Sequence, residues 1–243
     1  MNIIKTSISV CYRRIEEIKK VYYNNDAILK PFFNEATVLP VPDDAPAEIP
    51  RIIIKTLHEH AQLNISPIAA TFEINYNDGF ERSWSKCAEY INKRMNCVFE
   101  FLNLMTQNSY EYIGLISNVL YDEVQKNGAQ KLSDTLLNSA SINGIYDINI
   151  KYTFVENKNM FVNIMLQNAR IFDEQADFET AGGFARTTQK AESIGAIIDI
   201  NDRYGFNNDD SYKSNSDMLK NLMECMTDII DNKLSALIEK GVY

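Results

Sequence analysis

The sequence predicts an α+β protein in which one or more mostly antiparallel sheets are covered on one face by long amphipathic helices. Three observations support this prediction. Strand-like segments alternate apolar and polar residues, as in sheets that pack on one face and meet water on the other. Two long segments repeat apolar residues at spacings of three and four, which is typical of helices with one buried stripe. Finally, a short segment of the first half recurs in the second.

The recurring segment indicates two related halves. Residues 68–80, IAATFEINYNDGF, recur as IGAIIDINDRYGF at residues 194–206, a shift of 126 positions. Six of the 13 positions are identical, and Glu73 becomes Asp199. Each copy resembles a strand that ends in a Gly-Phe turn and leads into a long amphipathic helix. This pattern predicts a duplicated architecture whose half-sheets either join into one sheet or stand as two lobes.

The first predicted half covers residues 1–109. Its predicted elements are a strand over residues 4–12, a short helix over 13–24, strands over 51–57 and 63–76 that turn at HEHAQ, and a helix over 80–103. Five of the six prolines lie within residues 31–50. Because proline fixes its own φ and pushes the preceding residue toward extended geometry, this insertion is either an ordered extended excursion or a mobile loop.

The second predicted half covers residues 110–243. Its predicted elements are a strand over residues 110–121, a short helix over 128–139, a hairpin of 144–156 and 159–172, a strand over 194–202 and a helix over 216–239. Between the hairpin and the repeated strand, residues 173–193 are polar and contain two adjacent glycines. Such composition predicts a mobile loop.

Composition bounds the class of partner. The formal net charge is −9, and residues 110–243 carry 12 basic and 20 acidic side chains. An acidic surface repels phosphate backbones, so nucleic acid is disfavoured as a partner. No apolar run approaches the length of a membrane span, and the N-terminus lacks the order of a signal peptide, which together predict a cytoplasmic protein without a membrane partner. The four cysteines are scattered and form no CxxC pair, so free thiols are expected.

Three segments carry a resemblance to a known family. They are FEINYNDGFERSW, YIGLISN and IIDIND, the last preceding the C-terminal amphipathic helix. In their order and pattern they are similar to a family of uncharacterised, sporadically distributed prokaryotic proteins of similar length. The chain departs from that pattern at residue 116, which is Ile where a basic residue is expected. The family has no established activity, so the resemblance assigns no catalytic residue. Its patchy distribution would fit mobile elements or phage-defence loci, and the resemblance thereby implies an accessory factor in prokaryotic host–phage conflict.

Two groups of residues are candidates for a functional site. Tyr22, Tyr23, Phe32 and Phe33 adjoin or enter the proline-rich insertion, and aromatic side chains outside regular elements are typical anchors for a protein partner.

The second group is acidic, and its members are Asp199, Asp202, Asp209 and Asp210. Carboxylates at a strand end and in the following loop are able to hold a divalent cation, although they equally suit a solvated strand end. His58 and His60 share an HxH pattern that lacks a nearby third ligand, which favours a polar turn.

Taken together, these patterns predict a non-catalytic protein- or peptide-binding module without a cofactor, whose partner is another protein or a second copy of the chain. One alternative is a metal-dependent phosphodiester hydrolase that uses the four aspartates. Another is a chaperone-like subunit that binds through exposed sheet edges.

Overall fold

The structure, a computed structural model, describes residues 1–42, 44–77, 79–121, 127–137, 142–172 and 189–243. The elements of the first half are β1 (Asn2–Cys11), α1 (Ile18–Asn25), β2 (Thr37–Val38), β3 (Ile52–Lys55), β4 (Ala61–Ile65), β5 (Ala69–Asn75) and α2 (Trp84–Thr106). Those of the second half are β6 (Tyr112–Tyr121), α3 (Gly128–Leu136), β7 (Asn149–Glu156), β8 (Met160–Phe172), β9 (Gln189–Asn201), α4 (Arg203–Asn208), α5 (Met218–Asp228) and α6 (Leu234–Lys240).

The fold is α+β, and its described strands form one antiparallel sheet. Nine strands lie in the order β2-β3-β4-β5-β1-β6-β9-β8-β7. The two halves therefore share a single sheet, joined where β1 pairs with β6. At this junction the hydroxyls of Thr6 and Ser117 lie 3.3 Å apart, and both residues are fully buried. Their hydrogen bond satisfies two polar groups that would otherwise be costly inside the core.

The repeated segments supply strands on either side of this junction. β5 pairs with β1, and β9 pairs with β6. Outward from the centre, the order is β1-β5-β4-β3 on one side and β6-β9-β8-β7 on the other.

The core lies on one face of the sheet. Along β1, Ile8 and Val10 are fully buried, whereas Ser7 and Ser9 are partly exposed. The buried strand residues form one hydrophobic cluster with the buried faces of the helices. The apolar stripes of the two long helical segments predict six core side chains, and five of them are buried: Trp84, Ile91, Met95, Leu222 and Ile229. The sixth, Met218, is partly buried. No helix in the described part of the chain has the length and apolarity needed to cross a membrane.

The prediction of one strand over residues 63–76 is wrong. The structure has two strands, β4 and β5, with a tight turn between them. The Ser66 hydroxyl accepts hydrogen bonds from the backbone N–H groups of Ile68 and Ala69, at 3.3 and 3.0 Å. Pro67 has no N–H to contribute to a strand ladder. Apolar residues continue through the turn, so the alternation does not reveal the break.

The proline-rich insertion is an ordered excursion in its described parts, residues 31–42 and 44–50. Its strand β2 pairs with β3, and Phe33 bridges to Thr56. The guanidinium of the buried Arg51 donates to the carbonyls of Ile49 and Ala45, at 2.7 and 3.2 Å. A segment rich in proline lacks N–H donors, so an arginine fork within reach of its carbonyls supplies the missing hydrogen bonds.

The predicted loop over residues 173–193 is shorter than expected at its C-terminal end. β9 begins at Gln189, which pairs with Phe172 of β8. Residues 189–193 are therefore strand, because the long ladder of β8 continues to pair them. The remaining residues of the predicted loop, 173–188, lie outside the described residues.

The predicted C-terminal helix contains a π-helical turn at Ile229–Lys233, between α5 and α6. Its wider pitch appears in the hydrogen bond from the Leu234 N–H to the Ile229 carbonyl, five residues back. An extra residue in one turn rotates the following stripe by one position.

Candidate interaction surface

Two of the four aromatic residues predicted to contact a partner belong to the chain's own core. Tyr22 and Phe33 are buried. The Tyr22 ring meets the edge of the Phe101 ring at 6.3 Å, and the Phe33 ring meets that of Phe72 at 5.8 Å. The bridge between Phe33 and Thr56 turns this side chain inward. The prediction that these two side chains contact a partner is therefore wrong, because both pack in the core.

The other two aromatic residues are accessible. Tyr23 is 65% exposed on α1. Phe32 is partly buried, and its ring lies 5.2 Å from the guanidinium carbon of Arg94 on α2. Phe32 lies in a turn in which its N–H donates to the Leu29 carbonyl at 3.2 Å, whereas the next residue, Phe33, is paired with Thr56; Phe33 is buried and Phe32 stays at the surface. The predicted partner contact therefore remains a hypothesis for Tyr23 and Phe32.

Arg94 makes cation–π contacts with two aromatic rings. Its guanidinium carbon lies 3.4 Å from the Tyr90 centroid and 5.2 Å from the Phe32 centroid. Nη1 donates to the Tyr90 carbonyl at 3.2 Å, and Nε is buried without a hydrogen-bond partner in the described residues. None of the ion pairs among the described residues includes Arg94. Aromatic faces attract a cation but leave the donors of the guanidinium fork free for an anion.

Apolar side chains flank this arginine. Phe80 is 38% exposed, and its ring meets that of Tyr90 edge-on at 5.8 Å. Leu57 is 52% exposed, and its N–H donates to the carbonyl of Phe32 at 3.1 Å. Lys86 and Arg94 lie four residues before and after Tyr90, so all three occupy one stripe of α2. We refer to Phe32, Leu57, Phe80, Lys86, Tyr90 and Arg94 as the Arg94 surface.

A cavity of about 540 Å³ opens beside this stripe. Its wall contains Phe80, Lys86, Tyr90 and Arg94. It also contains Glu89 and Lys93, whose charged groups are 2.6 Å apart and neutralise each other. Among the described residues, neither Lys86 nor Arg94 has a carboxylate partner, so the wall retains positive charge beside accessible apolar area.

The four aspartates do not converge on one point. Asp202 is fully buried at the end of β9, where its Oδ1 accepts the Ile113 N–H at 2.6 Å and its Oδ2 accepts the Tyr212 hydroxyl at 2.8 Å. Burial raises the pKa of Asp202 above its ordinary value, against the opposing effect of these hydrogen bonds. Asp202 therefore joins three segments of the chain.

The remaining aspartates have separate surroundings. Asp209 is exposed and accepts hydrogen bonds from the Ser211 hydroxyl and N–H, at 2.6 and 2.8 Å, which lower the pKa of its carboxyl. Asp199 faces Asn163 and Asn201 on the sheet, at 3.3 and 2.9 Å, and Asp210 is exposed.

No group of three or more His, Cys, Asp or Glu side chains in the described part of the chain is placed to hold a metal ion. The proposal of a metal centre formed by the four aspartates is therefore wrong, because the oxygens of Asp202 are occupied inside the fold and Asp209 caps a turn. His58 and His60 are exposed in the β3–β4 turn, with Glu59 between them at φ 58°.

The sequence patterns do not predict that Arg94, Tyr90 and Phe80 belong to one exposed surface. The spacing of Lys86, Tyr90 and Arg94 is a readable signal for one helix stripe. The approach of Phe32 to that stripe depends on how the proline-rich insertion folds back, which no local pattern reports. Comparisons with protein-family models, with curated proteins and with solved structures returned no match for the chain.

Proposed function

We propose that this chain is a non-catalytic protein-binding module that docks an acidic peptide segment of another protein on the Arg94 surface. The observation that carries the proposal is the guanidinium of Arg94, which lies over the Tyr90 ring and within 5.2 Å of the Phe32 centroid and has no ion pair with a described carboxylate. A half-buried arginine without an anionic partner leaves charged hydrogen-bonding capacity unused. A carboxylate from a bound peptide would satisfy it in a bidentate geometry.

The surroundings favour a peptide with apolar as well as acidic residues. Phe80 is exposed in the same cavity wall as the arginine, and Leu57 is exposed where its backbone meets that of Phe32. Aromatic and arginine side chains at the centre of a contact are typical of residues that carry most of the binding free energy. The chain as a whole has a net charge of −9 and therefore repels acidic segments in general. A positively charged, aromatic surface would attract an acidic partner in spite of that repulsion.

Selection from a display library of randomised peptides tests this proposal. We expect the selected peptides to be enriched in Asp or Glu next to an apolar residue. Arg94→Ala should weaken their binding at least about tenfold, and Arg94→Lys should also weaken it because an ammonium cannot offer a planar fork. Lys220→Ala removes an exposed cation that is paired with Glu224 on α5, and it serves as the control that should bind normally.

Two results would contradict the proposal. One is a selected consensus without acidic residues. The other is unchanged peptide affinity in an Arg94→Ala variant whose thermal melt matches that of the wild type. Light scattering during the same titrations shows whether the occupant is instead a second copy, since only self-association would change the mass without added peptide.

We also propose that the two halves descend from one duplicated unit. In the sheet, β3, β4 and β5 occupy the same places relative to β1 as β7, β8 and β9 do relative to β6, and in the same chain order. A long helical segment follows both β5 and β9, at once or after α4. An experimental structure tests this idea by superposition: β1, β5 and α2 should overlay on β6, β9 and the α5–α6 segment, and a helix on the opposite face of its half-sheet would refute the relationship.

A further inference from the structure

A second cavity, of about 320 Å³, opens where the two halves meet at one end of the sheet. Arg13 and Arg14, which follow β1, form one wall of it. The segment between α2 and β6 forms another wall with Glu111, and Lys213 approaches from the loop before α5. Three segments that are distant in the chain thus bring charged side chains to one concave site.

The charge of this cavity is opposite to that of the chain. Its lining holds three cations, Arg13, Arg14 and Lys213, and one carboxylate, Glu111, so its formal charge is +2 in a chain of net charge −9. Arg14 is paired with Glu16 at 2.9 Å. Among the described residues, Arg13 and Lys213 have no ion pair. Like charges on a concave wall repel each other, and a bound anion relieves that repulsion.

The backbone around these cations is held by hydrogen bonds on both sides. The Tyr12 N–H donates to the Ile68 carbonyl at 3.0 Å, and the Ile15 N–H donates to the Pro67 carbonyl at 2.9 Å. Tyr110 and Ser214 exchange two backbone hydrogen bonds of 2.9 Å each, which fixes the position of the neighbouring Lys213. The backbone that carries these exposed cations is therefore restrained, so little ordering of the backbone is needed when a ligand binds.

We propose that this cavity binds a soluble phosphate compound, with its anionic oxygens between Arg13 and Lys213. An arginine fork matches two phosphate oxygens, and a lysine ammonium serves as a second point charge. Two unpaired cations suit a multiply charged anion better than a single carboxylate. The volume is at the lower end of the range for small-ligand pockets, which fits a pyrophosphate-sized group with a modest substituent.

Isothermal titration calorimetry of the full chain, in a buffer free of phosphate and at low salt, tests the proposal. The probes are inorganic phosphate, pyrophosphate and ATP. We expect pyrophosphate to bind more tightly than phosphate, and its affinity to fall as salt is added. The double variant Arg13→Ala/Lys213→Ala should weaken binding of pyrophosphate at least about tenfold, because each lost contact is a charge-assisted hydrogen bond.

Two further variants should change the affinity in the opposite direction. Glu111→Gln removes the one carboxylate of the lining, and Glu16→Gln frees Arg14 from its ion pair, so each should tighten the binding of pyrophosphate. The control Lys20→Ala/Lys220→Ala removes two cations elsewhere and should leave the affinity unchanged. If the alanine double variant melts at a lower temperature than the wild type, Arg13→Gln/Lys213→Gln replaces it, because glutamine keeps the aliphatic packing. This variant should show the same loss of affinity for pyrophosphate.

The proposal is overturned if none of the three probes binds at millimolar concentration. It is also overturned if Lys20→Ala/Lys220→Ala weakens the binding of pyrophosphate as much as Arg13→Ala/Lys213→Ala does. Peptide binding at the Arg94 surface does not involve Arg13 or Lys213, so the two proposals succeed or fail separately.

Discussion

The ring of Tyr212 lies against Gly205 so closely that a Cβ on residue 205 would be 2.7 Å from Cε2 of the ring. The hydroxyl of the same tyrosine donates to Asp202 at 2.8 Å. Gly205 is thus required by a close approach of a side chain, whereas Gly79, at the matching position of the first segment, has a φ of 104° in a turn. The same residue recurs in the two segments for different physical reasons.

Gly205→Ala should destabilise the protein by about 1–3 kcal/mol, because the Tyr212 ring has to move away from the added methyl group. This loss should appear although alanine is the better helix former. Urea unfolding measures the change. Gly114→Ala is the control, since its Cβ would meet the Asn201 Cβ at an ordinary 3.6 Å. If Gly205→Ala has the same effect in a Tyr212→Ala background, the contact is not the cause.

The stability contributed at Asp202 should depend on pH. Burial raises the pKa of this carboxyl in the folded chain, so the folded state keeps a proton that the unfolded state has released. The free energy of unfolding should therefore fall as pH rises from the ordinary pKa of 3.8 through the raised pKa of the folded state. Below pH 3.8 the carboxyl is protonated in both states, and this loss of stability is absent. Asp202→Asn should remove this component, seen as the difference between its pH–stability curve and that of the wild type.

Asp202→Ala separates the charge from the hydrogen bonds. Without the carboxyl group, the Ile113 N–H and the Tyr212 hydroxyl lose their acceptor, and we expect Asp202→Ala to be less stable than the equally uncharged Asp202→Asn by about 1–3 kcal/mol at every pH. An alanine variant as stable as the asparagine variant at neutral pH would show that the hydrogen bond to the one acceptor oxygen that asparagine keeps contributes nothing. Chemical unfolding of the two variants in parallel makes the comparison.

Phe33 and Tyr23 should respond oppositely to truncation. Phe33→Ala should cost about 3–5 kcal/mol, because it leaves a cavity against Phe72 in the core. Tyr23→Ala removes a mostly exposed ring and should change stability by no more than about 0.5 kcal/mol. Thermal melts of both variants measure the difference. A Phe33→Ala protein that melts like the wild type would place this side chain outside the core.

The apolar stripes of the two long helical segments should be sensitive to truncation. Ile91→Ala and Leu222→Ala remove fully buried side chains and should each cost about 2–5 kcal/mol. Met218 is only partly buried, so Met218→Ala should cost less than either. Chemical denaturation of the three variants gives the order. An equal loss at all three positions would contradict the difference in burial.

Much of the fold was predictable from periodicity because periodicity reports local geometry. Alternation along residues 4–12 corresponds to β1, and the three-and-four spacing over 80–103 corresponds to α2. In contrast, the turn at Ser66 is missed by periodicity, because apolar residues continue on both sides of it, although Pro67 is itself a strand-breaking signal.

What the sequence by itself determined is the type of most strands and helices and the faces that they bury, since these follow from residue spacing within a single element. The tertiary structure alone decided that both halves share one sheet through the β1–β6 pair, that Phe33 is core while Phe32 stacks on Arg94, and that Asp202 is buried rather than a metal ligand. Each of these depends on contacts between residues far apart in the chain. Such contacts are selected by the packing of the whole core, so no local pattern encodes them.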